Sequence, residues 1–179
     1  MADDFTPRAH IEHWFPNSAE PDALEITSPQ DLCYNCVAWS LGIDSHWVEP
    51  YLDNGVKFAP WAIWPNSEDS GLSIDTYVKM FRGEGFVKAS RGNLEVGFDK
   101  IVIYWDKASK IFTHVARQME NGQWWSKLGK ASDVQHMKPE VLGPAGSPGQ
   151  YGEIWGYMKR AKGLAYKDTP LKARIKRTA

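Results

Sequence analysis

The chain has 179 residues, of which 42% are apolar, 13% aromatic and 24% charged, a balance that fits one globular core and excludes an intrinsically disordered chain. Residues 1–158 carry 13 Lys/Arg against 21 Asp/Glu, whereas residues 159–179 carry 8 against 1, so an acidic body is followed by a basic tail. The acidic body argues against nucleic acid as a partner of the main domain, and no run approaches 18 apolar residues, which argues against a membrane-spanning helix.

The first 30 residues are rich in Pro, Asp and Asn and read as an irregular segment around a short element. A helix is expected from about Asn35 to Leu41, with Asn35 as N-cap and Gly42 in the position glycine favours just past a helix end. The stretch Trp47–Pro65 reads as an irregular aromatic connection whose tryptophans either fill the core or line a cleft. Ser73 then caps a second helix, in which Ile74, Tyr77, Val78 and Phe81 recur at helical spacing until Gly83 and Gly85 stop it. Beyond it the period becomes two. Lys100–Trp105, Phe112–Met119 and Gln123–Lys127 read as consecutive strands, the last two joined by Glu120-Asn121-Gly122. Ser132 and Asp133 read as the cap of a short helix reaching Leu142, Gly143–Gly149 as a loop, and Tyr151–Met158 as a final strand. Helices followed by an antiparallel sheet make an α+β domain.

The chemistry concentrates in Gln30-Asp-Leu-Cys33-Tyr-Asn35-Cys36-Val-Ala38-Trp39-Ser40. A thiol is nucleophilic as the thiolate, and unpaired N–H groups at a helix start favour that form, so Cys36 in a first helical turn is the candidate nucleophile. It needs a base from elsewhere in the fold. Of the five histidines, His114 is the candidate, because it alone lies in a strand flanked by apolar residues; His136 is assigned to a surface helix.

The pattern Gln30-x2-Cys33-x2-Cys36-x-Ala38-Trp39-Ser40 resembles the nucleophile segment of papain-like cysteine hydrolases. The order of cysteine helix and histidine meander resembles the compact NlpC/P60 and CHAP amidases. Tyr34-Asn-Cys-x-Ala-Trp39 with Thr113-His-Val-Ala-Arg-Gln118 also resembles a bacterial domain family that carries both motifs. The papain-like resemblance implies Cys36 as nucleophile, His114 as base, Gln30 as an oxyanion donor and Ser126 in the place of the histidine-orienting asparagine. Val37 stands where papain-like enzymes carry an aromatic residue, and Cys33 has no third cysteine to bond.

Hairpin register decides whether Ser126 can serve. A two-residue turn at Asn121-Gly122 sets His114 opposite Gly129 and turns Ser126 away, whereas a three-residue loop with Gly122 left-handed sets His114 opposite Leu128 and brings Ser126 to its side.

The sequence therefore predicts a papain-like α+β domain over residues 1–158 and a basic tail over 159–179, with no cofactor and no metal site. The predicted activity is cleavage or transfer at an amide bond, with a peptide or amide substrate and a protein partner possible through the tail. The chain's beginning lacks a secretory pattern, which predicts a cytoplasmic location. The alternative is a binding or interaction module on the same fold, with Cys33 and Cys36 a structural or redox-sensing pair.

Overall fold

In the computed structural model, residues 4–144 are described apart from 58, 60 and 66–68, together with residues 150–163. Seven strands form one antiparallel sheet: β1 (Leu24–Ile26), β2 (Val87–Ala89), β3 (Phe98–Asp106), β4 (Ile111–Gln118), β5 (Trp124–Lys127), β6 (Asp133–His136) and β7 (Glu153–Ala161). Their order across the sheet is β1-β6-β5-β4-β3-β7-β2. The described helices are α1 (Arg8–Trp14), α2 (Cys36–Ser40) and α3 (Ile74–Gly83), with 3-10 turns at Pro16–Ala19 and Pro139–Leu142. The architecture is α+β.

Alternation along β3 sorts the core onto two faces. Ile101 and Ile103 join Val115, Val37, Tyr77, Val78 and Phe81 in the cluster under α2 and α3. Val102 and Tyr104 join Ala116, Trp124, Ile11, Phe15 and Leu142 in a second cluster on the other face. Tyr77 and Phe112 stack at 3.8 Å between ring centres, fastening α3 to β4.

The cap expected at Ser73 forms, its hydroxyl accepting from the Thr76 amide. The first 30 residues hold short elements, among them α1, whose apolar stripe is thin because Ile11 is its one buried residue. Two expectations are corrected. Asp133–His136 is not a helix but β6, since its backbone pairs with both β1 and β5, and two ladders outweigh a local capping signal. The last strand extends to Ala161, so the basic segment from 159 opens inside β7; residues 164–179 lie outside the described residues, as do 145–149 of the expected loop.

Among the described residues, no helix is long and apolar enough to cross a membrane.

Candidate functional site

Asn35 holds extended backbone before α2, and its Oδ1 accepts from the Ala38 amide at 3.0 Å, the cap expected from sequence. The same side chain reaches sideways: Oδ1 accepts from the Val48 amide at 3.2 Å, and Nδ2 donates to the Val48 carbonyl at 3.0 Å. One residue thus starts the helix and pins the segment carrying Glu49 against it.

Cys36 opens α2 and is 9% exposed. Burial pushes its thiol up to about 12, and the charge of Glu49 adds to the rise. The backbone amides of Val115, Val37 and Cys36 favour the thiolate and oppose that rise without overcoming it. Burial also pushes the Glu49 carboxyl up to about 7, and its Oε2 takes no hydrogen bond among the described residues.

His114 is 1% exposed. It pairs with Tyr104 across the β3–β4 ladder and so leaves the strand toward the second cluster, whereas Val115 points under the helices. Its Nε2 lies 3.0 Å from the Ser126 hydroxyl, which lies 3.0 Å from Nε2 of His136. Nδ1 of His136 lies 2.9 Å from the Lys138 carbonyl. Burial, reinforced by the neighbouring His136, holds the His114 imidazole well below the ordinary range, and burial lowers His136 to about 4.

Tyr151 covers His114, the rings stacked at 3.9 Å and 7°. The next residue is glycine by necessity. Gly152 has φ +76°, and a Cβ there would lie 2.3 Å from the Trp105 carbonyl oxygen.

Of the residues expected in the site, His114 and Ser126 are brought together. The hairpin takes the three-residue loop, with Gly122 at φ +83° and Gln118 opposite Trp124, which places Ser126 on the His114 side. Cys36 comes against the backbone of Val115, one residue from His114, but no hydrogen bond joins sulfur and ring among the described residues. Gln30 is exposed, and it lines a hollow with Thr6, His10, Trp14 and Lys130 in which Cys36 takes no part. Cys33 is exposed and Cys36 buried, both as free thiols; Asp31 raises the Cys33 thiol. Of the connecting tryptophans, Trp47 is buried, Trp64 half-buried against Tyr77 and Trp61 exposed.

Sequence reasoning missed His136, Glu49 and Tyr151. The signal for His136 was the two-residue spacing of Val134 and His136, too short in a four-residue strand to outweigh the Ser-Asp cap pattern. No group of three metal-binding side chains occurs among the described residues.

Residues 25–159 match the family model described as Domain of unknown function (DUF7689). No curated protein and no solved structure matches the chain.

Proposed function

The chain belongs to the DUF7689 family, and we propose that it is a cysteine hydrolase or acyl-transfer enzyme of papain-like arrangement acting on an amide bond. The observation that carries this reading is that Cys36, at the start of α2, packs with Val115 of β4, the strand whose His114 is held on Nε2 by Ser126. With Nε2 occupied, Nδ1 is the ring nitrogen left to take a proton. The resting thiol and imidazole are both neutral, so proton transfer accompanies attack rather than preceding it.

The thiol rests in the cluster under α2 and the His114 ring lies with Tyr104 on the other face, so this reading requires the thiol to move to the His114 side. Nδ1 then takes the Sγ proton while sulfur bonds the carbonyl carbon, and the C=O electron pair moves to oxygen. The Cys36 amide at the helix start is the donor this reading assigns to that oxyanion. Collapse breaks the C–N bond, and the amine leaves with the proton from His114. Water, or a second amine, then attacks the thioester; His114 takes its proton and returns one to sulfur.

The second reading, a binding or interaction module, is favoured by one specific observation: the Cys36 thiol and the His114 ring are both buried, on opposite faces of the sheet, and burial raises the first and lowers the second, the reverse of a thiolate–imidazolium pair. Alkylation of Cys36 in a Cys33→Ser background, followed from pH 6 to 10 with and without His114→Asn, separates the two. The hydrolase reading expects labelling near neutral pH that falls at least 10-fold without His114, the lower end of what a positioned base contributes being about 100-fold. Labelling that ignores His114 and rises only above pH 9 selects the binding module.

A further inference from the structure

We infer that His136, acting through Ser126, is a positioning residue that keeps the His114 proton on Nε2 and leaves Nδ1 as an open base. The inference rests on the reading of Cys36 and His114 as the reacting pair, but its own basis is the direction of three hydrogen bonds.

The direction is set at the far end. The Lys138 carbonyl can only accept, so Nδ1 of His136, 2.9 Å away, carries a proton. His136 is 1% exposed and bonded to a carbonyl and a hydroxyl, with no carboxylate hydrogen-bonded to it among the described residues to hold a second, charge-bearing proton. Its Nε2 is then a bare acceptor, and the Ser126 hydroxyl must spend its single proton there. Ser126 Oγ is left only lone pairs for His114, so at 3.0 Å the His114 Nε2 donates. A neutral ring that donates from Nε2 has its lone pair on Nδ1. Among the described residues Nδ1 takes no hydrogen bond. Reversing any one link would set two protons, or two lone pairs, face to face in a buried space.

The wild-type chain, labelled with 15N-histidine, tests this by long-range proton–nitrogen correlation at pH 7. The expected spectrum shows His114 protonated on Nε2 and His136 on Nδ1. His114 protonated on Nδ1, or His136 on Nε2, overturns the inference. Ser126→Ala should scramble the His114 signature between the two nitrogens while His136 keeps its Nδ1 proton; an unchanged His114 signature also overturns it. His136→Gln, whose Oε1 can accept the Ser126 proton, should retain His114 on Nε2, and this variant serves if Ser126→Ala does not fold. Expected tautomers together with His114-independent alkylation uphold the positioning inference and remove only the hydrolase reading.

Discussion

The buried polar groups around His114 and around Cys36 are satisfied to different degrees. On the face away from α2 and α3, Tyr104 donates to the Pro139 carbonyl at 2.8 Å, and His114, Ser126, His136 and the Lys138 carbonyl form an uninterrupted chain. On the helix side, the indole nitrogens of Trp39 and Trp64 and Oε2 of Glu49 are buried with no hydrogen bond among the described residues. A satisfied buried network fixes one geometry, while each unpaired group costs about 1–3 kcal/mol. The histidine face is therefore the rigid half of the candidate site, and the cysteine side is the half that carries unspent polar capacity.

The largest effect should come from cutting the rigid half at its middle. Ser126→Val keeps a strand-compatible side chain but leaves two ring nitrogens unpaired, one on His114 and one on His136. A loss of about 3 kcal/mol in urea unfolding is expected, since two orphaned groups each contribute at the scale just given. A loss below about 1 kcal/mol would mean the network contributes little beyond packing, and the contrast between the faces would collapse.

How much of this was legible follows from the range of the interactions. Asn35 and Ser73 were legible as caps because a cap is written within four residues. The hairpin was legible as well, and its two registers were both derivable from Glu120-Asn121-Gly122. Choosing between them needed the left-handed Gly122 and the ladder beyond it. β6 was not legible, because Asp133–His136 becomes a strand through β1 and β5 on either side rather than through its own pattern. With β6 read as a helix, His136 had no route to Ser126, and the proton chain was out of reach. Gln30 fits the resembled motif in sequence, yet the loop carries it beside α1.

Acid should expose the same face. An unfolded histidine takes up a proton near pH 6.5, whereas folded His136 refuses it until about pH 4. The unfolded state therefore binds more protons across that window. Stability is full above about pH 6.5 and falls as pH drops, by roughly 3 kcal/mol at pH 4 from His136 alone. His114, also held low by burial, acts in the same direction. Thermal unfolding between pH 7 and 4 measures the slope, and His136→Gln should flatten it. An equal slope in that variant would assign the acid sensitivity to groups outside the network.

The smallest expected effect belongs to the cysteine side and has the opposite sign. The Glu49 carboxyl is raised to about 7 from an ordinary 4.5, so between those values the folded chain holds a proton that the unfolded chain releases. Its contribution to stability therefore falls as pH rises through that window, against the trend of the histidines. Glu49→Gln removes the ionisation, and the variant should gain roughly 1 kcal/mol at pH 8, a figure reduced because the carboxyl is partly solvent-screened, and nothing at pH 4. The same variant removes one cause of the raised Cys36 thiol, so alkylation of Cys36 should move to lower pH. A stability gain without that move would mean that Glu49 senses burial but not the thiol. Both together would make Glu49 a second cause, after burial, of the protonated Cys36 in the resting chain.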